Sequence, residues 1–132
     1  MKLTTKSEYS ILALIYMARH ENGFIKIEKI CTEYDIPKKY LELLFMLLKQ
    51  NGYVKTKRGT SGGYKLSKPA SEITIAEVIR LMDGALASTA SVSKYFYSDT
   101  PLEREQKLIG VFREIRDYIS DRLENITLKD LI

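Results

Sequence analysis

The sequence predicts a mainly α-helical fold in which a pair of short helices leads into a two-stranded β-hairpin. Residues 27–50 carry apolar side chains at helical spacing, interrupted by Asp35-Ile36-Pro37, where proline disfavours a continuous helix. Asn51-Gly52 is a helix-stop signal, and a basic, glycine-rich turn separates the strand-like segments 53–57 and 64–67. This order of elements is typical of a winged helix-turn-helix domain, whose second helix enters a DNA major groove.

Each helix of the pair has one apolar face. The faces consist of Ile27, Ile30, Cys31 and Tyr34 in the first helix and Leu41, Leu44, Phe45 and Leu48 in the second. Pro37 can open the second helix, since an N–H at that position would have no helical partner. Another helix is expected before the pair, from about Lys6 to His20, with Thr5 and Glu8 forming a capping box at its start.

The hairpin turn, Lys57 to Gly63, is the proposed wing tip. Gly59, Gly62 and Gly63 are expected to permit a sharp, flexible turn. A glycine-rich turn can also belong to a nucleotide phosphate loop. The Walker spacing of glycines and lysine is absent here, and no helix follows directly, so that alternative is weak.

Charge is divided unevenly along the 132 residues. Residues 1–70 hold 13 Lys/Arg and 6 Asp/Glu, a balance of +7, whereas residues 71–132 hold 8 and 11, a balance of −3. The basic half contains the helix pair and hairpin, which suits a polyanionic partner because neutralised phosphates release counterions. A lysine-rich solvated surface would explain the charge equally well without any partner.

Double-stranded DNA is the partner that the elements and the charge together favour. Lysines suit phosphate contacts, Glu42 could accept a hydrogen bond from a cytosine amino group, and Arg58 could probe a narrow A·T-rich minor groove. An ordinary exposed helix face is the alternative at the helix positions. The candidate DNA-binding residues are Lys6, Lys38, Lys39, Tyr40, Glu42, Lys57, Arg58, Gly59, Thr60 and Ser61.

The second half begins with another capping box, Thr74 with Glu77, which opens a short helix that ends at Gly84. Its inward residues are Ile75, Val78, Ile79 and Met82. Residues 85–99 are expected to form a loop. The aromatic residues at 95–97 could line a ligand pocket between subunits, although such residues more often cover the core.

A long last helix is expected from Pro101, in its first turn, to about Asn125, extending for roughly 35 Å. Its apolar stripe is too long for a chain of this size to cover alone, so a homodimer is predicted. The alternative is an intramolecular clamp over the winged domain, and a helix of this length is expected to do both. The candidate dimerisation residues are Leu108, Phe112, Ile115, Ile119 and Leu123. Pairing would place two recognition helices ~34–36 Å apart, which suits a palindromic operator.

The predicted organisation is a winged helix-turn-helix domain at 1–84, a linker or sensor loop at 85–100, and a dimerisation helix with a C-terminal segment at 101–132. No apolar run approaches the ~18 residues of a membrane span, and the start of the sequence has no signal-peptide core, so a cytoplasmic protein is expected. A single cysteine excludes an internal disulfide.

Several segments together resemble the Rrf-type family of bacterial winged-helix transcriptional regulators, which includes IscR, NsrR and CymR. They are the opening residues 1–10, Tyr40-Leu41-Glu42, Asn51-Gly52, Val54, Arg58-Gly59, Gly62-Gly63-Tyr64, residues 73–79 and residues 125–131. The resemblance spans nearly the whole chain. It implies a homodimeric DNA-binding regulator, often a repressor, that responds to a small-molecule effector, a partner protein or another signal.

The sequence departs from the family pattern at the cofactor site. Cluster-binding members place three cysteines in the segment after the Glu77 helix, whereas residues 85–99 contain none. Iron–sulfur clusters are held by cysteine thiolates, so no cysteine-held cluster and no metal site are predicted. Cys31 is interpreted as a core residue; Glu8 and His20 remain a weak alternative as non-cysteine ligands.

The sequence leaves two other classes of function to consider. A winged helix can act as a protein–protein interaction module without binding DNA, although the basic wing tip does not suit an interface core. An enzyme is not favoured, since the sequence contains no nucleophile–base pair, metal-ligand spacing or cofactor motif.

Overall fold

The computed structural model describes residues 1–132 and consists of five α-helices and one two-stranded antiparallel sheet. The helices and strands are α1 (Thr5–Arg19), α2 (Ile27–Tyr34), α3 (Lys38–Gln50), β1 (Val54–Lys57), β2 (Gly63–Leu66), α4 (Ile75–Asp83) and α5 (Gln106–Glu124). Short 3-10 turns occupy Ala70–Glu72, Ala90–Val92, Pro101–Arg104 and Leu128–Leu131. The predicted mainly α-helical winged helix-turn-helix is confirmed. None of the helices combines the length and apolar content that a membrane crossing requires.

The turn between α2 and α3 is made by three residues with different tasks. Asp35 adopts the left-handed conformation at φ 55°, which ends α2. Ile36 is buried and anchors the turn in the core, and Pro37 directly precedes α3. The predicted inner stripe of α3 is confirmed, since all four members are buried: Leu41, Leu44, Phe45 and Leu48.

The hairpin is fastened to the segment before α2. Val54 pairs with Leu66 and Lys57 with Gly63, and Ile25 forms two further backbone hydrogen bonds with Tyr64, each of 2.8 Å. Gly63 has φ 144°, and a Cβ there would lie 2.3 Å from the Ile25 carbonyl oxygen. Glycine is therefore required for close backbone approach as well as for turning the chain.

The predicted capping box at the start of α1 is wrong. Thr4, not Thr5, is the N-cap residue, and no side chain caps the helix. The backbone N–H of Thr4 donates to Asp83 Oδ2 at 3.1 Å, and its hydroxyl donates to Oδ1. Burial acts to raise the pKa of Asp83, but these hydrogen bonds hold it below its ordinary value. The Asp83 carboxylate at the end of α4 thus anchors the N-terminus of α1.

The predicted capping box of α4 is confirmed, since Thr74 and Glu77 make both reciprocal hydrogen bonds. Gly84 ends the helix at φ 89°. The C-terminal segment then returns to the start of α4, where Ile75 N–H donates to the Ile126 carbonyl and Leu128 N–H to the Ile73 carbonyl, each at 3.0 Å. Leu128 is fully buried there, so residues 126–128 belong to the core around α1 and α4.

The last helix starts later than predicted. Pro101 lies in a separate 3-10 turn, and Glu105, at φ −113° and ψ 84°, breaks the helical path before α5 begins at Gln106. A proline at the first position of a short helical turn fits the sequence equally well, so the sequence pattern does not predict the break. The nineteen-residue α5 extends for roughly 28 Å.

Candidate nucleic-acid interface

The outer face of α3 is exposed, because this helix packs on the rest of the chain through its inner stripe and Tyr40. The solvent-exposed residues on this helix are Lys38, Lys39, Glu42, Leu43, Met46, Leu47, Lys49 and Gln50. Three of the predicted DNA contacts there, Lys38, Lys39 and Glu42, are exposed, and the fourth, Tyr40, is half-buried.

Lys38 is less available than its neighbour Lys39. Its Nζ lies 2.9 Å from Glu28 Oε1 on α2 and 4.0 Å from Glu42 Oε1. The hydrogen bond from Lys38 lowers the pKa of Glu28, and the same bond raises the pKa of Lys38. This ion pair joins α2 to α3, and the Glu28 carboxylate partly offsets the positive charge of Lys38.

Tyr40 lies at the junction of α1 and α3. Its ring packs edge-on against Tyr9, with centroids 5.6 Å apart, and its hydroxyl oxygen is 3.3 Å from Thr5 Oγ1. Together with Lys39 and Leu43 these residues border an open groove of about 510 Å³. Lys6 is exposed in the first turn of α1, the helix whose start also holds Thr5.

The wing tip is exposed and shaped by backbone contacts. Every residue from Lys57 to Ser61 is exposed, which includes the predicted contacts Arg58, Gly59 and Thr60. The Gly62 N–H donates to the Gly59 carbonyl at 3.0 Å, which closes the turn. A Cβ at Gly62 would lie 2.0 Å from the Lys57 carbonyl oxygen, so no other residue fits without a shift of the backbone.

Lys26 is a residue of this region that the sequence pattern did not indicate. Its Nζ donates to the Gly59 carbonyl oxygen at 2.8 Å and ties the wing tip to the start of α2. The two residues are 33 positions apart. No local periodicity or motif marks such a pair, and only the Ile25–Tyr64 pairing brings them together.

One part of the apolar stripe of α5 packs against the core of the same chain, and the other part is exposed. Ile109 is 1% exposed, and Ile119 and Leu123 pack partly against the core of the same chain. The most exposed apolar residues on this helix are Leu108 (41%), Val111 (50%), Ile115 (42%) and Tyr118 (74%). Of the predicted dimerisation residues, Leu108 and Ile115 lie on the exposed edge, and Phe112 lies between the two sets, half-buried.

The segment after α4 exposes its aromatic residues. Tyr95, Phe96 and Tyr97 are all exposed, so the interpretation that they cover the core is wrong. The Arg80 guanidinium lies 4.7 Å from the Tyr95 ring centroid and donates to Glu124 at 2.7 Å. This contact links α4 and α5 next to the segment.

Potential metal ligands are scattered. No three His, Cys, Asp or Glu side chains come together. His20 stacks on Tyr16, and its Nδ1 is 2.8 Å from the Tyr16 carbonyl oxygen. Glu8 lies in the first turn of α1 and His20 just beyond its end, about 18 Å apart along the axis. Burial raises the pKa of the half-buried Cys31 thiol, which disfavours the thiolate.

Comparison with known proteins places this geometry in a family. The model of the family described as "Rrf2: Iron-dependent Transcriptional regulator" matches residues 3–132. The transcriptional regulator IscR of Photorhabdus laumondii is 34% identical over 135 residues, covering 100% of this chain and 79% of the relative.

Solved structures agree. CymR of B. subtilis, the global cysteine regulator, superposes with a TM-score of 0.80 at 29% identity, covering 99% of this chain and 95% of that one. CymR of Staphylococcus aureus gives a TM-score of 0.73 at 32% identity, covering 97% and 95%. The exposed face of α3, the basic wing and the family match all support one assignment. The chain belongs to the Rrf2 family and is a DNA-binding transcriptional regulator, not an enzyme.

Proposed function

We propose that this regulator binds a palindromic operator as a homodimer, with α3 in the major groove and the wing tip in the flanking minor groove. The observation that carries the proposal is the joint exposure of the outer face of α3 and of residues 57–61. The two surfaces are adjacent in the chain, and Lys26 fixes the tip through Gly59. Such an arrangement can contact both grooves of one duplex.

Each candidate residue has a role that fits its position. Arg58, exposed at the tip, enters the minor groove, and Glu42 accepts a hydrogen bond from a cytosine amino group. Lys38 orients α3 through Glu28 and adds a weaker phosphate contact than Lys39. The remaining groups bind phosphates through ammonium, hydroxyl or backbone N–H donors: Lys6, Lys39, Tyr40, Lys57, Gly59, Thr60 and Ser61.

The exposed edge of α5 pairs the two copies. Leu108, Val111, Ile115 and Tyr118 follow each other at alternating intervals of three and four residues, the spacing of a coiled-coil seam. Ile119 and Leu123 support the seam from the core side. Two-fold pairing of α5 presents two copies of α3 to half-sites ~34–36 Å apart.

Regulation proceeds without a cysteine-held iron–sulfur cluster. Residues 85–99 contain no Cys or His, and the only cysteine, Cys31, lies half-buried on α2. An iron–sulfur cluster is held by several thiolates, and a single half-buried cysteine does not supply them. We propose that a small-molecule effector or a partner protein acts at residues 85–100, where Tyr95, Phe96 and Tyr97 are exposed and Tyr95 lies beside the Arg80 side chain that links α4 to α5.

Selection from a random duplex pool tests the operator. The wild-type protein should enrich an inverted repeat, with the logarithm of its affinity falling linearly as the logarithm of salt concentration rises. Arg58→Ala should reduce that slope by about one and relax A·T preference where the wing contacts DNA. Lys129→Ala, an exposed cation on the last 3-10 turn, is the matched control and should leave the slope unchanged.

Failure to enrich any duplex, with or without candidate effectors, would overturn DNA binding by this surface. The direction of regulation is tested by transcription from a promoter that overlaps the enriched site. Repression predicts less transcript as protein is added, and Arg58→Ala should weaken the effect. An increase in transcript would identify an activator instead.

A further inference from the structure

The centre of the proposed DNA-reading surface is apolar. Leu43 is 59% exposed and Met46 is 56% exposed, and they are three positions apart on the outer face of α3. Single exposed apolar residues are common on proteins. Here two large ones lie together between Lys39 and Lys49, in the part of the helix that would face base edges.

The two side chains border the grooves on either side of the helix. Leu43 lines the open groove shared with Tyr9 and Tyr40 next to α1. Met46 lines a second groove of about 280 Å³ between α3 and the hairpin, together with Thr56. Neither side chain contributes to the buried core cluster, so folding does not explain why they are apolar.

The proposed dimer does not bury Leu43 or Met46, so dimerisation does not explain why these two exposed residues are apolar. The seam uses Leu108, Val111, Ile115 and Tyr118 on α5, and the other exposed aromatic residues lie at 95–97. Exposed lysines instead flank the pair, Lys39 before Leu43 and Lys49 after Met46, and Glu42 is the one exposed carboxylate on this helix. Positive charge around an apolar centre complements the major groove, where phosphates flank base edges.

We propose that Leu43 and Met46 select operator sequence by contacting thymine 5-methyl groups, which places A·T pairs beneath the middle of α3. Thymine is the one base whose major-groove edge carries a methyl group. An apolar side chain gains by burying that methyl, and it cannot satisfy the donors and acceptors of a G·C pair that it covers. Glu42, one position before Leu43, can accept from cytosine, so the A·T-selecting centre lies beside a C-reading position.

This inference rests on the proposed operator binding, and it is tested with the enriched duplex. Each thymine is replaced singly by deoxyuridine, which removes the methyl group and keeps the pairing. Affinity for wild-type protein should fall about fourfold at each thymine under Leu43 or Met46, the loss expected for one buried methyl group. Thymines outside the α3 footprint serve as internal controls.

Variant proteins assign each methyl contact to a side chain. Leu43→Gln should bind the thymine and deoxyuridine duplexes equally at its own position while keeping the effect at the position read by Met46. Met46→Gln should show the reverse. Leu131→Gln, the same change at an exposed leucine outside the interface, should retain both effects. Unchanged circular dichroism and melting temperature confirm that the variants fold.

The inference would be overturned, and the proposed function left intact, if deoxyuridine is neutral at every thymine or if the enriched site has no A·T pair under α3. Retention of both methyl effects by Leu43→Gln and Met46→Gln would also overturn it. If wild-type protein enriches no duplex at all, operator binding itself fails, and the apolar centre of α3 is then a surface for another protein.

Discussion

The hydroxyl of Tyr53, just before β1, donates a 2.7 Å hydrogen bond to Glu77 Oε1 on α4. Lys68, just after β2, approaches the same oxygen at 3.4 Å. Glu77 also caps α4 through Thr74, so one carboxylate joins both ends of the hairpin to the helix that leads into residues 85–99. The base of the wing is therefore joined directly to α4.

Replacement of Glu77 by glutamine should lower the free energy of unfolding by about 1–2 kcal/mol, because the helix cap and the bond from Tyr53 are both weakened. Chemical denaturation measures the loss. Glu72→Gln, an exposed glutamate on the preceding turn, is the matched control and should change stability little.

The same carboxylate predicts a pH dependence. Burial acts to raise the pKa of Glu77, but hydrogen bonds from Thr74 and Tyr53 hold it below its ordinary value of 4.5. A group with a lowered folded-state pKa stabilises the protein fully above its unfolded pKa, and the stabilisation is lost as pH falls through the folded pKa. The difference in stability between wild type and Glu77→Gln should therefore shrink below about pH 4.5. A constant difference down to about pH 3 would contradict this account.

Gly63→Ala should destabilise the hairpin by about 1–3 kcal/mol, since φ is positive and the new Cβ would meet the Ile25 carbonyl. DNA affinity should fall as well, because the Ile25–Tyr64 pairing holds the wing. Gly110→Ala is the contrasting control. Nothing lies within 4 Å of its new Cβ on α5, and a helical alanine should add up to about 1 kcal/mol. Equal melting temperatures for both variants would argue against a strained approach at Gly63.

Ile115→Glu should convert the proposed dimer to monomer, because it places a charge in the apolar seam of α5. Sedimentation velocity should show the molecular mass halved, and operator affinity should drop with the loss of two-site binding. Arg113→Glu introduces the same residue at an exposed position off the seam and should remain dimeric. A dimer that survives Ile115→Glu and Val111→Glu together would locate the interface elsewhere.

Reconstitution tests the expectation that no cysteine-held cluster forms. After anaerobic incubation with ferrous iron and sulfide and removal of excess reagents, the protein should retain neither metal nor visible absorption. Cys31→Ser should bind operator DNA like the wild type. Stoichiometric iron and sulfide that remain bound to wild type and are lost from Cys31→Ser would contradict this prediction.

Local patterns predicted local structure well. The inner stripe of α3 and the Thr74–Glu77 cap follow from spacing within one helix, and both are present in the structure. Thr5 and Glu8 have the same spacing, yet Asp83, 79 residues away from Thr4, replaces their cap. Sequence spacing specifies which cap is possible, whereas tertiary neighbours decide which one forms.

The same limit on prediction from local sequence applies to the candidate DNA-binding site. Basic residues of the wing could be predicted because they are concentrated in one turn. Three other features depend on how separate elements pack: the contact of Lys26 with Gly59, the ion pair of Lys38 with Glu28, and the apolar centre of α3. The division of the α5 stripe likewise depends on which side the core covers, which helical periodicity alone does not specify.

The two backbone bonds between Ile25 and Tyr64 and the Lys26 contact hold the hairpin in one shape before any ligand arrives. A preshaped wing loses little conformational entropy on association. The heat capacity change of association should therefore reflect buried area without an added contribution from local folding. Mutations that loosen this attachment should weaken DNA affinity mainly through a larger entropic cost, even where every phosphate-binding side chain is retained.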